Sequence, residues 1–231
     1  MKGLSKMADD KKEGHRKRLK KRFLLEGLEN FEPYNVLELL LFYSYAQKDT
    51  KPIAHSLLDK FGSVSAVFEA KYEELIKVDG VGESTATLIT MMPQLFRYYN
   101  NDKQKAVKVI NSAEKAANYL IPKYIGRTNE VVYLVCLDNQ KRLLYCDIIE
   151  EGIVSATNIT VRKIVEIALR VGAAGIIISH NHPKGLALPS TQDVRTTKSL
   201  KDKLDAVSLE LIDHIIVSKD DFSSMKETGM I

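Results

Sequence analysis

The fold and the chemistry turn on one stretch of the chain, Ser179-His180-Asn181-His182-Pro183-Lys184-Gly185-Leu186-Ala187-Leu188-Pro189-Ser190-Thr191-Gln192-Asp193. It follows Gly175-Ile176-Ile177-Ile178, a β-branched run that predicts a buried strand. Side chains at i and i+2 of a strand project to the same face, so His180 and His182 can point at one metal ion. The chain then turns through Pro183 and Gly185 and restarts as a helix at Ser190, running to about Val207. That return brings Asp193, one turn into the helix, back toward the two imidazoles. Two His and one carboxylate leave a fourth position for water, the composition of a catalytic rather than a structural zinc site. A bound water also needs a base, and Glu150 or Glu151, just before Gly152, can supply the carboxylate. Each piece also has a plain structural reading. Ser190 with Asp193 has the form of a helix N-terminal capping pair, and Glu150-Glu151 that of a solvated strand end.

The surrounding pattern is that of a mixed sheet. Val131 to Leu137 is a β-branched and aromatic run ended by the turn Asp138-Asn139-Gln140-Lys141, and Leu143 to Ile149 returns as a second strand of a hairpin. Val161 to Val171 reads as a helix, and His214 to Val217 as a last strand. Strands alternating with helices predict an α/β (α+β) arrangement, a mixed β-sheet flanked by helices.

Upstream, the period is helical. Leu19, Phe23 and Leu24 recur at helical spacing, as do Val36, Leu39, Leu40 and Tyr43 between Asn35 and Tyr45, with Pro33 just ahead. Ile53, Leu57, Leu58 and Phe61 mark a third helix closed by Gly62, and Val64, Val67 and Phe68 a short fourth. Val78-Asp79-Gly80-Val81-Gly82, between two apolar helices, resembles a helix-hairpin-helix whose Gly80 and Gly82 would let backbone N–H groups approach a phosphate. Glu83 opposes an anion there, and no Lys or Arg follows from Ser84 to Leu95. The expected organisation is a flexible leader over 1–13, an all-helical bundle over 14–100, a polar linker over 101–107 and the mixed-sheet domain over 108–231.

Length and composition bound the rest. The 231 residues suit one large or two small domains at roughly 150 residues each, and 45% hydrophobic with 28% charged residues argue against general disorder. No apolar run reaches the ~18 residues of a membrane span, and Met1 to Phe23 has no secretory apolar region, so no membrane partner is expected. Cys136 and Cys146 make no disulfide framework, which predicts a cytoplasmic protein with reduced thiols. The net charge of +4 is unevenly placed: residues 1–30 carry +5 and the remainder sums to −1. Any nucleic-acid argument therefore belongs to Arg16, Lys17, Arg18, Lys20, Lys21 and Arg22, as phosphate contact without base readout. A solvated helix face is the plain alternative.

His180-x-His182, seven residues, then Ser190-x-x-Asp193 resembles the motif of the JAMM (MPN-plus) metallopeptidases. His-Asn-His-Pro followed by Pro-Ser-x-x-Asp is similar to the RadC branch in particular. Further stretches resemble that branch: Gly14-His15-Arg16-x-Arg18-Leu19, Glu38-Leu39-Leu40-Leu41-Phe42, Asp49-Thr50-Lys51-Pro52-Ile53-Ala54 and Asp213-His214-Ile215-Ile216-Val217. The resemblance implies a JAMM/MPN domain of cytidine-deaminase-like fold over 108–231, with one zinc ion per chain on His180, His182 and Asp193. It places Glu151 as general acid/base, with Glu150 the alternative, and Ser190 as hydrogen-bond donor to the developing oxyanion. It implies a zinc metallopeptidase acting on a peptide or isopeptide bond of a peptide or protein substrate. The competing expectation is a DNA-associated repair or recombination accessory protein with a structural or vestigial zinc site. A zinc nucleobase deaminase needs a Pro-Cys-x-x-Cys ligand pair, which Cys136 and Cys146 are too far apart to supply. Where RadC-like sequences have Ser-Gly-Asp-Pro after the histidines, this chain has Lys184-Gly185-Leu186-Ala187, which alters loop charge and removes no ligand. His214 is outside the motif and reads as a core histidine or a partner to a ligand. The oligomeric state stays open.

Overall fold

A computed structural model describes residues 2–103, 109–152, 161–219 and 221–231, with side chains from residue 14 onward. The chain divides into two compact units, 1–95 and 96–231. The first is helical: α1 (Lys2–Glu26), α2 (Pro33–Leu41), α3 (Lys51–Phe61), α4 (Val64–Glu69), α5 (Tyr72–Leu75) and the start of α6 (Glu83–Lys103). Its core gathers Leu37, Leu41, Ile53, Leu57, Val67, Leu75, Val81, Ala86 and Ile89, the apolar positions that recur at helical spacing. Helix α1 begins at Lys2 and so includes residues 2–13, which the sequence marks as a leader. Residues 101–103 of the expected linker are the last turn of α6, and 104–107 lie outside the described residues.

Helix ends follow local chemistry. Gly62 stops α3 in the left-handed region at φ 87°, and the Ser63 hydroxyl then caps α4 by accepting from the Ala66 N–H. Gly80 has φ 82°, and a Cβ on it would stand 2.9 Å from Ile53 Cγ1. It is glycine because the turn packs on α3 and needs positive φ. Gly82 has neither constraint: its φ is not positive and a Cβ there would meet no atom within 4 Å.

The second unit holds α7 (Ala113–Tyr124), β1 (Val131–Leu137), β2 (Leu143–Glu151), α8 (Val161–Val171), β3 (Gly175–Asn181), α9 (Thr191–Asp205), β4 (Glu210–Ser218) and β5 (Asp221–Ser224). The strands form one mixed sheet in the order β2-β1-β3-β4-β5. β3 and β4 are parallel, joined through α9, and the other neighbours are antiparallel. The sheet is covered on both faces. On one, α7 packs Ala116, Ala117 and Leu120 against Val131, Tyr133, Val135 and Ile177. On the other, α8 and α9 pack Ile164, Ile167, Leu200 and Leu204 against Val132, Leu134, Ile176 and Ile178. Every residue of β1 and β3 is buried, which is why these strands read as continuous apolar runs rather than alternating ones. β3 extends two residues beyond Ser179, so His180 lies inside the strand. No helix among the described residues is long and apolar enough to cross a membrane.

Candidate metal centre

The end of β3 and the start of α9 meet on the α8/α9 side of the sheet. His180, 4% exposed, sits opposite Val132 of β1, and His182 follows just past the strand with its N–H held by the Val217 carbonyl at 2.8 Å. The loop back is anchored by the Ser218 hydroxyl, which donates to the Gly185 carbonyl at 2.6 Å. Ser190 caps α9: its hydroxyl accepts from the Asp193 N–H at 3.1 Å, and its own N–H donates to Asp193 Oδ2 at 2.7 Å. The capping box therefore does form, and it fixes the Asp193 carboxylate at the mouth of the site. The Ser190 hydroxyl hydrogen is not consumed by that bond.

His180 Nε2 lies 3.0 Å from His182 Nε2 and 3.5 Å from Asp193 Oδ1, and His182 Nε2 lies 3.8 Å from Asp193 Oδ2. Ligand atoms at ~2.0–2.1 Å from a tetrahedral zinc stand roughly 3.3 Å apart, so these separations bracket the requirement. Among the described residues this trio is the one cluster of metal-ligating side chains so arranged. The remaining nitrogen of each ring is already engaged. His182 Nδ1 meets the Leu186 carbonyl at 2.9 Å, and His180 Nδ1 meets His214 Nε2 at 2.8 Å. Both rings are thus oriented with Nε2 inward, as a ligand pair requires.

Electrostatics suit the same role. Burial pushes the His180 pKa down to about 4, against the nearby Asp193 carboxylate and with help from His182. The ring is therefore neutral near pH 7, and no proton competes for its lone pair. Burial likewise drives His214 down to about 3. For Asp193, burial acts upward, but hydrogen bonds from Ser190 and the neighbouring His180 and His214 outweigh it and hold the carboxyl below its usual range. An open cleft of about 450 Å³ lies beside His182, lined by Thr128, Glu130, Pro183, Lys184 and Gly185.

The two candidate bases part company. β2 carries an extra residue where it pairs with β1: Tyr133 is opposite Ile148, but Val132 is opposite Glu150 and Val131 opposite Glu151. Directly opposed residues share a face, so Glu150, Val132 and His180 form a row across three strands on the α8/α9 side. Glu151 pairs instead with Val131, whose side chain belongs to the α7 core, and it accepts from Arg127 Nη1 at 3.3 Å. Spacing to the histidines could not separate the two acids, because a single bulged residue sets which of them shares a sheet face with His180.

The remaining expectations sort by what each side chain touches. Arg16 donates to the carbonyls of Tyr45, Ala46 and Lys48 at 2.6, 2.8 and 2.5 Å and lies over the Phe42 ring. Arg22 donates to the Asn30 carbonyl at 2.6 Å and to Glu26, and lies over Phe31. These two hold loops of the helical unit, whereas Lys17, Arg18, Lys20 and Lys21 are exposed on α1. His15 bonds the buried Glu38 at 3.0 Å, and His55 stacks on Tyr34. Cys136 and Cys146 are free thiols on opposite faces of the sheet, outside the cluster. Thr197, buried one turn beyond Asp193, drew no notice in the sequence, and its only signal there is the i+4 spacing from a ligand.

The family described as the RadC-like JAB domain matches residues 110–230. A UPF0758 protein of Fusobacterium nucleatum is 32% identical across 97% of this chain and all of its own length. UPF0758 proteins of Paraburkholderia xenovorans and Paraburkholderia phytofirmans are 30% and 31% identical, each over 91% of this chain and 83% and 81% of their own.

Proposed function

The chain belongs to the RadC-like JAB domain family, and on that premise we propose that it is a cytoplasmic zinc-dependent hydrolase that cleaves a peptide or isopeptide bond. The observation that carries the reading is the convergence of two Nε2 atoms and one carboxylate, each ring locked by a bond from its other nitrogen. Zinc held by His180, His182 and Asp193 would supply Lewis acidity and a water acidified to near ~7. Glu150 takes the proton of the attacking water and returns it to the leaving amine; what supports it over Glu151 is its register with Val132 and His180. The Ser190 hydroxyl, at the N-terminus of α9, donates to the developing oxyanion. The cleft beside His182 receives the substrate chain, with Lys184 at its wall.

Elemental analysis of the purified protein tests this, with about one zinc per chain expected and loss of it on His180→Ala or Asp193→Ala. Protein that carries no metal and takes none up sinks the reading. A proteomic comparison of parent and Glu150→Gln should reveal cleavage products that need Glu150.

The exposed cations of α1 favour a second, separate role, contact with DNA phosphates by an accessory protein of repair or recombination. Arg16 and Arg22 contribute less to it, since their guanidinium groups are engaged within the unit. Affinity for duplex DNA should fall steeply between two salt concentrations, and reversing Arg18, Lys20 and Lys21 should remove that slope. A flat salt response counts against the role.

A further inference from the structure

Behind the metal centre runs a buried hydrogen-bonded thread with a direction. We propose that His214 and Thr197 are positioning residues that fix the tautomer of His180 and tie it to the backbone of Asp193, so that two zinc ligands are held by one chain of bonds. The inference rests on the reading of His180, His182 and Asp193 as ligands.

His180 turns Nε2 toward the cluster, so as a ligand it keeps its proton on Nδ1. That N–H donates to His214 Nε2 at 2.8 Å. With Nε2 accepting, neutral His214 carries its proton on Nδ1, which donates to Thr197 Oγ1 at 2.6 Å. Thr197 passes its own hydroxyl hydrogen to the Asp193 carbonyl, also at 2.6 Å. Each group along the thread donates once and accepts once, and the reverse pattern would aim the His180 proton into the ligand cluster. The three side chains come from β3, β4 and α9 and are 4%, 6% and 1% exposed, so no water competes for their bonds. Parallel register places His214 opposite Ile178, one pleat from His180 on the same face, while Ile216 stands directly opposite His180. Ligand histidines commonly donate to a carboxylate or a carbonyl. A neutral imidazole here orients the ring without adding negative charge to the centre.

Shape alone does not account for this arrangement, and substitutions that keep shape expose the difference. Full-length protein stripped of metal and titrated with zinc alone should bind ~10–100-fold more weakly as His214→Leu. Thr197→Val should weaken it in the same direction by a smaller factor, and His214→Gln, whose amide can both accept and donate, should recover part of the loss. The His214→Leu/Thr197→Val pair should bind no more weakly than His214→Leu by itself, because the thread acts as one unit. In the zinc-loaded parent, nitrogen NMR of the imidazoles should find both His180 and His214 protonated at Nδ1. Zinc binding within twofold of the parent in both single variants, or a proton on His214 Nε2, overturns the proposal. Should His214→Leu fail to fold, the Thr197→Val titration and the tautomers decide it. A parent that binds no zinc overturns the metal reading as well, which separates the two failures.

Discussion

The two faces of the sheet end in polar residues of very different kinds, although the residues alternate along the same strands. On the α7 face, Ser179 accepts from the Tyr124 hydroxyl at 2.9 Å, and Asn181 accepts from the Val131 N–H at 2.7 Å while donating to the Asn129 carbonyl. Asp213, beside His214 on β4, accepts from the Ser224 hydroxyl at 2.6 Å and the Lys226 N–H at 3.1 Å. Each of these bonds ends on backbone or on a neutral hydroxyl and closes a strand or a turn. On the α8/α9 face, His182 spends one nitrogen on the Leu186 carbonyl and His180 spends one on the buried His214 ring, and each points its other nitrogen at its neighbour and at a carboxylate. Buried polar groups are normally satisfied. What marks the second face as functional is surplus lone-pair capacity converging on one point, not polarity.

The sharpest way to break this contrast is to exchange its two acids. Glu150→Gln should lower hydrolysis by ~10²–10⁴-fold while leaving zinc content unchanged, the span expected for loss of a general base. Glu151→Gln should leave turnover near that of the parent, because its partner is Arg127 on the other face. Turnover lost with Glu151 and kept with Glu150 would mean that the bulge in β2 does not set the base.

Protonation separates the faces next. His180 and His214 have pKa values pushed down to about 4 and about 3, against ~6.5 in an unfolded chain. Between those limits the unfolded state binds more protons, so stability is full above about pH 6.5 and falls as pH drops toward 4. Each group costs about 2 kcal/mol by pH 5 on that arithmetic. Asp193, also held low, acts with the same sign at still lower pH. Thermal melts of metal-free protein should show this loss, and His214→Gln should shallow it. A melting temperature flat from pH 7 to 5 would refute the assignment of both histidines as neutral and buried.

How much of this was legible in the sequence depends on range. β1, β3 and α8 were readable because their apolar patterns are local and complete, and the two histidines with Asp193 were readable because strand and helix periods place them. Helix α7 was missed: its Ala-rich run, with Pro122 inside it, offers few large apolar residues and gains its stability by packing on the sheet. Strand β5, Asp-Phe-Ser-Ser, is too short and polar to read as a strand and exists through its pairing with β4. Neither the choice between Glu150 and Glu151 nor the His214–Thr197 thread was accessible, since the first hangs on one bulged residue and the second on the register of two parallel strands.

Smaller effects sharpen the structural side of the comparison. Asn181→Ala removes an acceptor from the buried Val131 N–H and should cost ~1–3 kcal/mol, while zinc affinity stays within a few-fold of the parent. His182→Ala should show the opposite balance. If Asn181→Ala abolished metal binding without lowering stability, the two faces would not be separate systems.

The smallest expected effect tests the same division most strictly. Tyr124 lies in the α7 core, its ring edge-on to Tyr133 with centroids 5.2 Å apart, and burial raises its pKa well above 10, so it serves as a neutral donor to Ser179. Tyr124→Phe keeps the ring and its packing and deletes one hydroxyl. Ser179 can then turn its own hydrogen elsewhere, so the cost should be only ~0.5–1.5 kcal/mol. For a chain of this size that is a fall of roughly 1–6 °C in melting temperature. Ser179 adjoins His180 in the chain yet faces the other way, so zinc affinity and the pH profile of turnover should both be those of the parent. A shift in either would mean that the alternation of β3 does not insulate the metal centre from the core one residue away.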